Sequence, residues 1–129
     1  MQTKTMALFG EAEKGEFEKA YYCKNLDQLL ECFGHPPRES HGLDYAIQAL
    51  LYQCHLLFFR VREEGFSEQD YFHGIKLLKN QAVIPEIMAI CMPGVGNGEI
   101  LNAAVPICHL YHSILVISEA DLYDYFSSC

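Results

Sequence analysis

Between Glu86 and Glu99 the chain reads EIMAICMPGVGNGE, and this stretch limits the fold more than any other. Ile87 to Met92 is an unbroken apolar run that ends in Pro93 and three glycines at alternate positions, Gly94, Gly96 and Gly98. Proline cannot continue a hydrogen-bonded ladder and glycine tolerates a tight exit, so the run predicts a buried strand leaving a sheet. Asn97, with Glu99 two positions later and an apolar-periodic segment behind it, predicts a helix start. Strand, glycine loop and helix in that order is how many α/β domains bring backbone N–H groups and a helix N-terminus up to an anion.

The rest of the chain is read outward from this point. Thr5–Phe9 predicts a first strand ended by Gly10, and Phe17–Cys23 a second, pairing with it as a hairpin across Lys14–Gly15. Asn25 with Gln28 three residues later is a capping-box pattern, and Leu26, Leu29, Leu30 and Phe33 recur at helical spacing until Gly34. Pro36 and Pro37 then separate this helix from the next. From Leu43 through Val61 the apolar positions hold a 3.6-residue stripe for five turns, with Arg60 and Arg62 at its end. The spacing predicts one long helix; the alternative breaks it at His55 and makes LLFFRV a buried strand. Phe66, Ser67, Asp70 and Tyr71 resemble a staple and capping box for a helix SEQDYFHGIKLLKN, which with the long helix would form a helical hairpin. Ile100, Leu101, Ala104, Ile107, Cys108 and Tyr111 predict a helix kinked at Pro106, SILVIS predicts a strand covered on both faces, and EADLYDYF predicts a last helix. The sum is a single α/β domain over residues 1–129: a three-layer, Rossmann-like fold with about four mostly parallel strands, helices on both faces and an N-terminal hairpin. Strand exits share one edge in such a fold, so the loops Gly10–Gly15, Pro93–Glu99 and Ser118–Asp121 are expected to be neighbours.

Composition narrows the function. With 129 residues, half of them hydrophobic, the chain is long enough for one compact core. A net charge of -8 and a pI near 5.1 argue against nucleic acid and anionic membranes as partners, since both call for clustered Lys and Arg. No apolar stretch is long enough to span a membrane, and the opening MQTKTM leads into a short apolar run unlike a secretory signal, which gives a cytoplasmic expectation. Six cysteines are unevenly spaced, without a C-x-x-C pair, and are expected to be reduced.

The candidate site follows from the edge argument. Gly10, Glu11, Lys14, Pro93, Gly94, Gly96, Asn97, Gly98, Glu99 and Glu119 are the expected ligand-binding residues, and the expected ligand is a nucleotide or other phosphorylated small molecule. With one position skipped, Pro93, Gly94, Gly96 and Glu99 resemble the PGGxGTxxE phosphate loop of the lysine-decarboxylase-like, cytokinin-activating phosphoribohydrolases. That family's second motif, GGGxxGxMG, has no counterpart in this chain, so no catalytic residue is carried over. Whether the chain is an enzyme, and which cofactor it uses, stay open. Loop glutamates Glu11, Glu99 or Glu119 would suit hydrolysis of an N-glycosidic bond. His109 and His112, three apart, lack a third ligand at fixed spacing, so no metal site is assigned. A further reading is an interaction module or homodimer using Tyr21, Tyr22, Tyr52, Tyr71, Phe72, Tyr123 and Tyr125, since tyrosine is favoured at protein interfaces.

Overall fold

The computed structural model describes residues 4–80 and 87–127; Met1–Thr3, Glu86 and Cys129 lie outside them. In chain order the elements are β1 (Thr5–Gly10), β2 (Ala20–Cys23), α1 (Leu26–Phe33), α2 (Gly42–Leu51), β3 (His55–Arg60), α3 (Glu68–Asn80), β4 (Ile87–Cys91), α4 (Gly98–Tyr111), β5 (Ile114–Val116) and α5 (Glu119–Ser127). The five strands form one sheet in the order β2-β3-β1-β4-β5, parallel except for β2.

Alternation along the strands sends side chains to two cores. Met6 and Leu8 of β1, with Leu56 and Phe58 of β3, face α1, α2 and α5. Ala7, Phe9, Leu57 and Phe59 face α3 and α4. The chain is therefore a three-layer, Rossmann-like α/β domain with helices on both faces of a sheet one strand larger than expected. Within the second core the rings of Phe9, Phe59 and Tyr71 stack with centroids 4.6 and 5.4 Å apart. Gly74 of α3 leaves room for them, since a Cβ there would lie 2.3 Å from the Phe9 ring.

Local signals explain most of the helices. Asn25 Oδ1 accepts from the Gln28 amide at 2.9 Å, and Gln28 Oε1 accepts from the Lys24 amide at 2.7 Å, so the predicted capping box starts α1. Asn97 Oδ1 accepts from the amides of Glu99 and Ile100 at the start of α4, which then continues through Pro106. Ser67 behaves differently from the predicted box: its hydroxyl donates to the Glu63 carbonyl and accepts from the Glu63 amide, and Asp70 turns back to Arg62.

Five expectations are corrected. The stripe from Leu43 to Val61 is not one helix: α2 stops at Leu51, and His55–Arg60 is the strand β3, parallel to β1 in register Thr5↔His55 to Gly10↔Arg60. The break uses no glycine or proline; Gln53 takes φ +65° instead, and the Cys54 amide reaches the Ala49 carbonyl at 2.9 Å. The helical hairpin is thus replaced by a helix, a strand and a helix. The N-terminal hairpin is also absent, because both edges of β1 are taken by β3 and β4, and β2 pairs antiparallel with β3. SILVIS yields only the three-residue edge strand β5, with Ile114 47% exposed. Tyr71 and Tyr125 belong to the cores, while Tyr22, Tyr52 and Tyr123 are exposed.

Cys23, Cys32, Cys91 and Cys108 are free thiols, and burial holds the deepest of them protonated. Burial first, then the neighbouring Cys32 thiol, pushes Cys23 from 9.0 up to about 12, and burial pushes Cys91 up as well. Both thiols ionise more readily in the unfolded chain than in the folded one. The contribution of Cys23 to stability is complete below pH 9.0 and is lost as pH rises towards about 12, and that of Cys91 falls in the same direction. Urea midpoints should accordingly be flat from about pH 7 to about pH 9 and fall above it; a midpoint unchanged well above pH 9 would contradict this burial.

Candidate functional site

The strand order places one reversal in the sheet. The connection after β1 leads to α2 on one face, and the connection after β4 leads to α4 on the other. Adjacent parallel strands whose connections part in this way open a crevice above their carboxyl ends, and ligands of doubly wound folds bind there. Above β1 and β4 lies a cleft of about 370 Å³, with Glu11, Arg38, Glu39, His41, Glu63, Glu64, Phe66, Pro93 and Gly94 around it.

Glu64 holds the floor of this cleft together. Its Oε1 accepts from the His41 amide at 2.8 Å, and its Oε2 accepts from the amides of Gly42 and Glu11, each at 2.9 Å. Glu11 answers by accepting the Glu64 amide on its own Oε2 at 2.9 Å. The N-terminus of α2 has no side-chain cap of its own, so a carboxylate 22 residues further along the chain supplies it. The clasp requires β1 and α2 to meet closely: a Cβ on Gly42 would lie 2.5 Å from the Gly10 Cα, and one on Gly10 2.6 Å from the Gly42 Cα.

The loop carrying Glu63, Glu64 and Phe66 is fixed at several points. Buried Asp70 accepts from the Arg62 amide at 2.8 Å and pairs with the Arg62 guanidinium. Tyr71 Oη accepts from the Gly65 amide at 2.7 Å, and Gly65, at φ +87°, lies so close to Gly94 that a Cβ would fall 2.5 Å from the Gly94 carbonyl oxygen. From this held loop the Phe66 ring projects with 72% of its surface exposed, between the cleft and a shallower hollow bounded by Arg62, Ser67, Glu68, Gln69 and Asp70. The opposite rim is a turn in which Ser40 donates through both its amide and its hydroxyl to the Pro37 carbonyl. There Glu39 adopts φ +63°, a left-handed conformation that costs a side chain of this type about 1 kcal/mol.

Two of the three predicted loops meet at the cleft, through Glu11 and through Pro93 and Gly94, while no residue of Ser118–Asp121 lines it; Gly94 donates its amide to the carbonyl of Ile117, just before that loop, at 3.1 Å. Of the ten residues named from the sequence, Glu11, Pro93 and Gly94 line the cleft and Gly10 lies beneath it. The other six do not line it. Lys14 is exposed on the β1–β2 loop, its amide on the Phe33 carbonyl. That loop is drawn to β3 instead, where Arg60 donates to the carbonyls of Ala12 and Gly15 and lies 4.3 Å from the Phe17 ring. Asn97 is occupied as the α4 cap, its Nδ2 donating to Glu68 Oε1 at 2.9 Å, and Glu99 and Glu119 are exposed helix-start acids. The alternate glycines divide by role. Gly94 has φ +78°, whereas a Cβ on Gly96 or Gly98 would meet nothing within 4 Å. Gly94→Ala should cost about 1 kcal/mol, and Gly96→Ala should be neutral or stabilising by up to about 1 kcal/mol; equal effects in urea unfolding would contradict this division.

Sequence reading missed Arg38, Glu39, His41, Glu63, Glu64 and Phe66. Their signal was conditional, because Glu63–Phe66 reaches the strand-exit edge only when His55–Arg60 is a strand. Cys91, at the exit of β4, is fully buried and burial keeps its thiol protonated, so it is a core residue. Among the described residues no group of three His, Cys, Asp or Glu side chains is arranged to hold a metal ion, and no helix is long and apolar enough to cross a membrane.

Fold and site together define a doubly wound α/β domain with a carboxylate-lined cleft at its topological switch point. No protein-family model matches the chain, and no curated protein or solved structure is significantly similar to it.

Proposed function

We propose that this protein binds a small molecule bearing a nucleobase, a nucleoside or one of its phosphates, in the cleft above β1 and β4. The observation that carries the reading is Phe66, an aromatic ring 72% exposed on a loop otherwise held by internal bonds, beside the crevice where folds of this type take their ligands. An apolar ring left in water on a fixed loop is arranged to stack on a flat partner, and a nucleobase is such a partner. Glu11 and Glu63 supply acceptors for sugar hydroxyls, and Arg38 supplies the cleft's guanidinium. The strained turn at Glu39 fits the same reading, since strain is commonly kept at binding sites.

The test is calorimetric titration of the purified protein with the four common ribonucleosides and their phosphates. At least one should bind, and Phe66→Ala should weaken it by about 1–2 kcal/mol, roughly five- to thirtyfold, while moving the urea midpoint little because most of the ring already faces water. Binding unaffected by Phe66→Ala would remove the ring from the site, and absence of binding by every compound would overturn the reading.

A further inference from the structure

Most of the backbone donors that face this edge are already engaged. The amides of Glu11, His41 and Gly42 all donate to Glu64, so the helix start nearest the cleft faces an internal carboxylate. The Gly65 amide donates to Tyr71 Oη, the Gly94 amide to the Ile117 carbonyl, and the first turn of α4 to Asn97 Oδ1. What remains around the cleft is four carboxylates, Glu11, Glu39, Glu63 and Glu64, against one guanidinium, Arg38, which pairs with none of them. A phosphoryl group placed among these acids meets repulsion in a partly desolvated space, and the amides of Glu11, His41, Gly42, Gly65 and Gly94 are already spent on internal acceptors.

From this we infer that the cleft recognises the nucleoside part of its ligand, through ring and hydroxyl or amino donors, and that phosphate opposes binding. The inference rests on the proposed binding at this cleft and specifies its ligand as an uncharged or cationic, donor-rich ring compound. Glu64 is central to it. In occupying the α2 N-terminus it fills the place where doubly wound folds hold a phosphate, and with Glu11 it turns that place into an acceptor surface. The ring lies along Phe66, and the hydroxyl or amino groups donate to Glu11 and Glu63.

The experiment compares each ribonucleoside with its own 5′-monophosphate and 5′-triphosphate by calorimetry at low and at moderate salt. The inference predicts that the nucleoside binds tightest, that the triphosphate is weaker by about tenfold or more at low salt, and that added salt narrows the gap by screening the repulsion. The double variant Glu39→Gln/Glu63→Gln should also narrow it. Neither side chain makes a hydrogen bond or ion pair among the described residues, so this variant keeps the fold. Phosphates that bind more tightly than the nucleoside, with affinity falling as salt rises, would overturn the inference and leave the cleft as a nucleotide site. A gap unmoved by both salt and the double variant would overturn it too, by removing charge as its cause. Failure of every compound to bind would overturn the underlying reading instead.

Discussion

Gly42→Ala is expected to destabilise the protein by about 3 kcal/mol, although alanine is the better helix former and α2 begins at that residue. The two effects oppose each other and their sizes decide the outcome. Replacing glycine within a helix gains at most about 1 kcal/mol from propensity. Against it, the new Cβ would lie 2.5 Å from the Gly10 Cα and 2.9 Å from Glu64 Oε2, so the α2 start must move off β1 and the Glu64 bonds must lengthen. Backbone against backbone cannot be relieved by a rotamer change. Urea unfolding at constant m-value checks this, with Gly96→Ala as the control in open space. A Gly42→Ala protein as stable as the parent would mean that β1 and α2 do not meet as described.

Glu64→Ala should cost a comparable amount, about 2–3 kcal/mol, for a different reason. Three amide donors, those of Glu11, His41 and Gly42, lose their acceptor together, and the α2 N-terminus loses its only capping group among the described residues. Glu64→Gln retains one carbonyl oxygen and should recover about half of the loss, since neutral acceptors bond more weakly than carboxylates. Water reaches part of this cleft and can replace some of the lost bonds, which keeps the figure below three full unsatisfied donors. Glu11→Ala removes a single accepted bond and should cost about 1 kcal/mol. A Glu64→Ala protein within about 0.5 kcal/mol of the parent would show that the clasp contributes nothing to stability.

What could be read from the sequence, and what could not, follows from the range of the interactions. Runs that are apolar on both faces announce themselves, so Thr5–Phe9 and Ile87–Met92 were legible as buried strands. Caps are local, and Asn25 and Asn97 marked their helices correctly. The boundary between α2 and β3 was illegible because Leu50, Leu51, Cys54, Leu57 and Phe58 continue the helical spacing through it. The turn itself is carried by Gln53 in a left-handed conformation that glycine ordinarily marks. Once that boundary was lost, Glu63–Phe66 fell at a helix end and not at the strand-exit edge. The Glu64 clasp spans 53 residues to Glu11, a separation at which spacing carries no information. The alternate glycines after β4 look alike in sequence, but only Gly94 has a conformational need for glycine there.

Amide chemical-shift mapping shows which backbone groups a bound ligand touches, and so whether the proposed site above β1 and β4 is where it sits. The protein, labelled with nitrogen-15, is titrated with whichever ribonucleoside or nucleotide binds in calorimetry. The largest shifts should fall on Glu11, on Arg38–Gly42, on Glu63–Phe66 and on Gly94, with Gly96–Glu99 and the exposed Tyr52 and Tyr123 unmoved. Shifts concentrated on Gly96–Glu99, or on Tyr52 and Tyr123, would contradict it and move the site to the α4 start or to the tyrosine-bearing surface.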